Sequence, residues 1–181
     1  MPSFTIAPES LHRLRQRLQA AGSSTAADIL QDAGFATGEA LNDLWRNQIA
    51  AHTGLDDAGR LDMRWFGPLL DELCVELGWG SLCVTPVGDR AVLLEGGEWA
   101  EAEPGTTEHP ACHFSCGLFA AFLTAQAGAP MSVLEVECRS SGNNACRFLA
   151  GSTATLATVY DVLAAGRPWR EAFDPADLPA T

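Results

Sequence analysis

The sequence predicts an α+β fold in which an antiparallel sheet, built from hairpins, packs against several helices. Two observations carry this prediction. Apolar residues recur at helical spacing through the first part of the chain, and the pattern then changes to short apolar runs separated by turn residues. A length of 181 residues and an apolar fraction of 47% suit one domain with a full hydrophobic core.

Three helices are predicted before the sheet begins. They span residues 8–20, 26–52 and 62–77. Ser23, Ser24 and Thr25 offer an N-cap for the second helix, because their hydroxyl groups accept hydrogen bonds from free backbone N–H groups. Gly34 and Gly38 interrupt that helix, which predicts either a kink or two abutting helices packed closely on a neighbour.

Two hairpins and two further helices are predicted in the rest of the chain. The first hairpin joins residues 79–86 to 91–95, and the second joins 131–139 to 146–149 across the turn SSGNNA. Residues 111–126 form a strongly apolar helix between them, and Ser152 caps a last helix that ends at Gly166. Residues 96–110 read as an acidic surface loop in which Trp99 is an apolar outlier.

The charge and the missing motifs exclude several classes of function. The net charge of −12 argues against a nucleic-acid surface, because no basic patch is present to contact phosphates. The chain has no lysine, which excludes Schiff-base chemistry and a P-loop, and it has no hydrolase, zinc-protease or dinucleotide motif. We therefore expect no enzyme. The absence of a signal sequence and of a long apolar run predicts a cytoplasmic protein without a membrane segment.

The six cysteines fall into two groups. Cys74 and Cys83 lie on apolar faces and read as small core residues. Cys138 and Cys146 flank the second hairpin turn, so the hairpin brings their thiols near each other. A metal site and a set of buried apolar thiols both fit this pattern. By residue chemistry alone, the remaining metal ligands stay open among six residues: Cys112, Cys116, His109, His113, Glu135 and Glu137.

Two segments resemble the 4-vinyl reductase (4VR) domain, a family that includes the sensor regions of phenol- and xylene-responsive activators. They are CHFSCG at 112–117 and EVECRSSGNNACRF at 135–148, and GFATGEALNDLW at 34–45 is similar to the family's glycine-containing helix. The resemblance implies a 4VR or trafficking-subunit-like architecture. It also implies a structural zinc ion held by Cys112, Glu135, Cys138 and Cys146, whose closed shell leaves no open position for catalysis.

Strand geometry raises a difficulty for this ligand set. In a regular strand Glu135 and Glu137 share one face, while Cys138 points to the other. Either a bulge near Val136 re-aims Glu135, or Glu137 faces solvent and another group completes the metal shell.

The resemblance implies a small apolar, aromatic or tetrapyrrole-like ligand in a cavity between the helices and the sheet. The candidate lining residues are Trp65, Phe66, Trp79, Trp99, Phe114, Phe119, Phe122 and His113. Trp99 is the best candidate for a lid, because it stands in a loop. The His and Trp that hold the ligand in phenol sensors have no counterpart, since Met63 and Ala91 stand near those positions.

Two other functions and a domain division accompany this reading. The alternatives are a protein-interaction or assembly module without a ligand, and an accessory protein of (bacterio)chlorophyll vinyl reduction. We expect a single domain over 1–181, with N-terminal helices at 1–60, a 4VR core at 61–166 and a C-terminal tail at 167–181. The family's dimerisation through N-terminal helices implies a homodimer, with residues 26–52 as the candidate face.

Overall fold

A computed structural model describes residues 7–21, 25–55 and 58–179, apart from the side chain of Gln19. The helices are α1 (Pro8–Ala20), α2 (Ala26–Thr53), α3 (Met63–Glu76), α4 (His113–Ala127) and α5 (Thr153–Ala164). The strands are β1 (Leu82–Val87), β2 (Ala91–Gly96), β3 (Ser132–Glu137) and β4 (Cys146–Gly151). Within these described ranges, no helix is both long enough and apolar enough to cross a bilayer.

The four strands form one antiparallel sheet in the order β1-β2-β4-β3. Each predicted hairpin contributes two neighbouring strands, and pairing of β2 with β4 joins the hairpins into one sheet. Gly96 at the end of β2 lies opposite Cys146 at the start of β4. The predicted α+β class, with a sheet built from hairpins and packed against helices, is confirmed.

Local capping sets several helix ends. Asp62 accepts a hydrogen bond from the backbone N–H of Arg64 at 3.0 Å and starts α3. The predicted cap Ser152 accepts from the N–H of Thr155 at 3.1 Å and starts α5. For α2, Thr25 takes the N-cap position, whereas Ser23 and Ser24 lie outside the described residues.

Helix α2 is one continuous helix, so the expectation of two abutting helices is wrong. Its glycines serve a close approach to α4 instead. A Cβ atom at Gly34 would lie 2.0 Å from the backbone oxygen of Phe114, and one at Gly117 would lie 1.9 Å from that of Gln31. The expected close packing is therefore present, because the missing side chains let the two backbones come together.

The sheet has a packed layer on each face. One face packs with α2, α3 and α4 around large buried side chains such as Trp45, Phe122 and Phe148. The other face packs against α5 and the chain that follows it, where Trp169 and Phe173 are buried. The segment expected to be a tail thus covers part of the sheet, and its two aromatic side chains anchor it there.

Candidate metal centre and adjacent cavity

Four side chains from three parts of the fold converge at one end of the sheet. Cys112 precedes α4, Glu135 lies on β3, and Cys138 and Cys146 stand on either side of the hairpin turn. Their ligand atoms all lie within 4.8 Å of one another. All four residues are buried, so the cluster is shielded from water.

The distances within the cluster fit a tetrahedral metal ion. Sγ of Cys112 lies 3.7 Å from Sγ of Cys138 and 3.8 Å from Sγ of Cys146. A tetrahedron with metal–sulfur bonds of about 2.3 Å has sulfur–sulfur edges of about 3.8 Å. Oε2 of Glu135 accepts a hydrogen bond from the N–H of Cys112 at 2.8 Å, whereas its buried Oε1 has no hydrogen-bond partner. An orphaned carboxylate oxygen beside three thiols is the arrangement that a divalent cation would complete.

A β-bulge in β3 places Glu135 in this cluster. Glu135 pairs with Phe148 and Glu137 pairs with Arg147, so Val136 is an extra residue on β3. The structure therefore has the re-aiming bulge expected near Val136. On the other face, Glu137 forms an ion pair with Arg147 and accepts a hydrogen bond from Nε1 of Trp169 at 2.8 Å.

The protein environment makes a cluster without a cation unfavourable to ionise. Burial raises the pKa of Glu135 to about 9. Hydrogen bonds to Cys138 and Cys146, together with burial, raise the pKa of the Cys112 thiol well above its usual value. Those hydrogen bonds lower the pKa of Cys138, whose sulfur accepts from the other two thiols. A bound divalent cation would favour ionisation of all four groups, and its binding would release protons.

Glu101, from the acidic loop, caps the helix that begins beside Cys112. Its carboxylate accepts hydrogen bonds from the N–H of Phe114 at 3.0 Å and from the N–H and hydroxyl of Ser115 at 2.7 and 2.6 Å. Its backbone oxygen also accepts a hydrogen bond from the buried guanidinium of Arg15 at 3.3 Å. Sequence reasoning missed this residue, because one glutamate among four in an acidic loop carries no signal of burial.

The capping carboxylate predicts a pH dependence of stability. Burial raises the pKa of Glu101 from the ordinary 4.5 to about 7. Between these values the folded protein binds more protons than the unfolded chain, so this contribution is full below pH 4.5 and is lost as the pH rises through 7. We expect the stability of the wild type relative to Glu101→Gln to fall by roughly 3 kcal/mol between pH 4.5 and 8.

Urea unfolding of both proteins across this pH range measures the effect. Glu98→Gln is the matched control, because Glu98 lies in the same loop but is exposed. A difference between wild type and Glu101→Gln that stays constant with pH would show that Glu101 does not titrate in this window.

An open cavity of about 470 Å³ lies beside the cluster, between the start of α4, β3 and α5. Its apolar wall includes Pro110, Val133, Leu134 and Leu163. Its polar lining residues are Gln31, His109, His113, Glu135 and Tyr160. Cys116 lines it as well, so three of the open ligand candidates, His109, His113 and Cys116, lie at the cavity rather than within the cluster. Glu135 belongs to both places.

Most of the aromatic residues predicted to line a pocket pack against one another instead. Phe66 stacks on Phe122 with ring centroids 6.2 Å apart, and Trp79 stacks on Phe114 at 5.7 Å. Phe119 lies in the same core as these rings, whereas Trp65 is 56% exposed. Of the eight predicted lining residues, His113 lines the cavity described above. A ligand site among the aromatic rings stays a prediction.

The expectation of a lid at Trp99 is wrong. Only 1% of its surface is exposed, and Nε1 donates a hydrogen bond to Oγ of Ser115 at 2.7 Å. Its ring lies 5.5 Å from Phe119 and 5.7 Å from Trp79, centroid to centroid. Trp99 is therefore a core residue that pins the acidic loop to α4, because burial of a large ring holds the loop that carries it.

Comparison with solved structures identifies proteins of the same fold. The phenol-responsive sensory domain of the transcription activator PoxR, with phenol, has a TM-score of 0.62 and 19% identity over 93% of this chain and 85% of that chain. A trafficking protein particle complex subunit 3 from Naegleria fowleri, covalently bound to palmitic acid, has a TM-score of 0.59 and 12% identity over 80% of this chain and 91% of that chain. A vinyl-4-reductase family protein from Methanocaldococcus jannaschii has a TM-score of 0.53 and 18% identity over 82% of both chains.

Sequence comparison adds the family. No curated protein sequence matches the chain. The vinyl-4-reductase (4VR) domain matches residues 100–152, a range that contains all four residues of the cluster and the capping Glu101. Residues 100–152 thus carry a 4VR domain, and the resemblance to the 4-vinyl reductase family that the cysteine spacing indicates is confirmed.

Proposed function

We propose that this chain is a non-enzymatic small-molecule-binding domain, a sensor or carrier, with one structural zinc ion held by Cys112, Glu135, Cys138 and Cys146. The observation that carries the proposal is the buried cluster, whose sulfur–sulfur distances of 3.7 and 3.8 Å suit zinc. Four protein ligands close the shell, so the ion would join the start of α4 to the second hairpin without performing chemistry.

The chemistry of the nearby side chains supports a role other than catalysis. Burial is the main reason that the pKa of the Cys116 thiol is raised well above its usual value, which makes it a poor nucleophile. Cys112 would be occupied as a metal ligand. The remaining groups at the cavity, His109 and His113, therefore have no activated nucleophile beside them.

The ligand we propose is a small apolar or aromatic molecule. The cavity beside the cluster has a volume of about 470 Å³, within the range of about 300–1,000 Å³ that small-molecule sites occupy. The similar fold of the PoxR domain, which was solved with phenol, is consistent with this class of ligand. A tetrapyrrole has four linked rings and needs several times the space of a phenol, so the single-ring class is favoured.

A protein-interaction role is the second candidate. Ile29 is 46% exposed and Phe35 is 54% exposed, both on α2, where a partner surface would bury them. We propose that the helices within residues 1–60 form a homodimer face, that residues 1–181 act as one cytoplasmic domain, and that the chain binds neither nucleic acid nor membrane. Dimerisation and ligand binding are compatible, because these side chains are not among those that line the cavity.

Native mass spectrometry of protein purified without added metal tests the zinc proposal. We expect one zinc ion per chain, and the same spectrum reports the oligomeric state and any co-purified small molecule. Metal-free wild-type protein that does not take up zinc would contradict the proposal.

The two neighbouring glutamates provide a matched pair for the ligand set. We expect Glu135→Gln to weaken zinc binding at least about tenfold, because removal even of a group that only orients a metal ligand costs about 10- to 100-fold. Glu137→Gln is expected to leave zinc affinity unchanged, since Glu137 contacts Arg147 and Trp169 on the other face. Competition with a chromogenic chelator measures both. Equal losses in the two variants would show that Glu135 is not a ligand.

A further inference from the structure

We propose that the cavity between the start of α4, β3 and α5, here called the α5 groove, is the ligand site, and that it takes an uncharged apolar molecule bearing a hydroxyl group that donates to His113. This inference rests on the proposed function and gives it a location. The α5 groove is a different place from the aromatic interior that the sequence indicates, because Phe66, Phe119 and Phe122 pack into the core.

The walls of the α5 groove suit a single ring. Val133 and Leu134 on β3 lie across from Leu163 on α5, so a flat apolar molecule would have aliphatic contacts on two sides. Tyr160 lines the same groove and is 61% exposed. A ring bound in the groove would cover part of that exposed aromatic surface, which favours binding through the hydrophobic effect.

His113 supplies a polar group for recognition. It lies half-buried in the first turn of α4 and lines the groove. Its ring makes no hydrogen bond to any residue in the described part of the chain, so a ring nitrogen is available to a ligand. One directed hydrogen bond on an otherwise apolar wall is the usual way in which a small-molecule site fixes orientation.

The charges at the α5 groove select against anions. Glu135 lines it, is buried and keeps one carboxylate oxygen without a hydrogen-bond partner. The chain as a whole carries a net charge of −12. A carboxylate ligand would therefore enter a region of negative potential and lose its hydration, whereas a neutral hydroxyl group meets neither cost.

Calorimetric titration of the protein as purified with three probes tests this inference. The probes are 4-methylphenol, toluene and benzoate, which share one ring but differ in the group it carries. We expect 4-methylphenol to bind, toluene to bind about 2- to 10-fold more weakly through loss of one hydrogen bond, and benzoate not to bind. Tighter binding of benzoate than of 4-methylphenol would overturn the proposed ligand class.

Three variants locate the site. Leu163→Trp fills the α5 groove and is expected to weaken 4-methylphenol binding more than tenfold, and His113→Ala is expected to weaken it about 2- to 10-fold. Phe66→Leu, in the packed aromatic core, is the matched control and should leave the affinity unchanged. Zinc content and the melting curve of each variant establish that it is folded. Tyr160→Ala, at an exposed position, replaces Leu163→Trp if that variant unfolds, with a weakening of at least about twofold expected.

The outcomes separate the inference from the proposed function. If 4-methylphenol binds and only Phe66→Leu weakens it, the ligand lies in the aromatic core, so the α5 groove is the wrong site while the proposed function stands. If none of the three probes binds the wild type at millimolar concentration, both the groove assignment and the small-aromatic function are wrong.

Discussion

Cys112→Ser is expected to remove the metal ion and to lower the free energy of unfolding by at least about 4 kcal/mol. The physical reason is that Cys112 joins two parts of the fold, the start of α4 and the second hairpin, through one buried cluster. A serine hydroxyl is a poor zinc ligand, and the change would leave two other thiols and Glu135 buried without a compensating cation. Metal content and urea unfolding, measured on the same preparations, check this result.

The other cysteines provide the controls. Cys83, expected in the core, is exposed on β1 instead, so Cys83→Ser should change neither metal content nor stability by more than about 0.5 kcal/mol. Cys116→Ala lies one helical turn beyond Cys112, outside the cluster, and should keep the metal while losing stability through a small cavity. If Cys112→Ser unfolds at the same urea concentration as Cys83→Ser, the metal clamp does not stabilise this protein.

Gly34→Ala is expected to destabilise the protein by at least about 2 kcal/mol, although alanine is the better helix former. In an exposed helix the same change would stabilise by about 1 kcal/mol. Here the added Cβ would lie 2.0 Å from the backbone oxygen of Phe114, so α2 and α4 would have to move apart. The sign of the effect therefore separates helix propensity from helix packing, and urea unfolding measures it.

Two further glycines sharpen this prediction. Gly117→Ala inserts a Cβ on α4 at 1.9 Å from the backbone oxygen of Gln31 and should destabilise by a similar amount. Gly97→Ala is the control, because nothing lies within 4 Å of its added Cβ and its backbone needs no positive φ. A stabilising effect of Gly34→Ala would show that α2 and α4 are less closely packed than in this structure.

Helix and strand boundaries follow closely from local sequence patterns. The predicted helix over 8–20 matches α1, and the predicted second hairpin contains both β3 and β4. Such elements depend on side-chain periodicity, turn residues and caps such as Ser152, all of which are local. The pairing of β2 with β4, by contrast, depends on how the two hairpins meet. Local patterns contain no information about that contact.

The metal cluster was accessible to sequence reasoning only through the motif. Residue chemistry left six candidates for the remaining ligands, and the family spacing reduced them to the four that the structure brings within 4.8 Å. The bulge at Val136 decides between Glu135 and Glu137, since one extra residue reverses which of them faces the cysteines. A strand pattern alone predicts the wrong face for one of them.

The binding cavity was the least predictable feature. Aromatic residues at helical spacing line a pocket or fill a core with the same pattern, and here Phe119, Phe122 and Trp99 fill the core. The cavity instead brings together residues from the start of α4, β3 and α5, whose sequence neighbours give no sign of a shared wall. Glu101 was missed for the same reason, because its burial depends on a distant helix end.

The sequence by itself determined the elements, the α+β class and the family motif around the cysteines, because periodicity, caps, turns and ligand spacing are properties of neighbouring residues. Only the tertiary structure decided which carboxylate joins the cysteines, which aromatic rings are core, and where an open cavity lies. These depend on contacts between residues far apart in the chain, such as Gly34 with Phe114 and Cys112 with Cys146. Packing and a single β-bulge fix those contacts, and no local pattern encodes either.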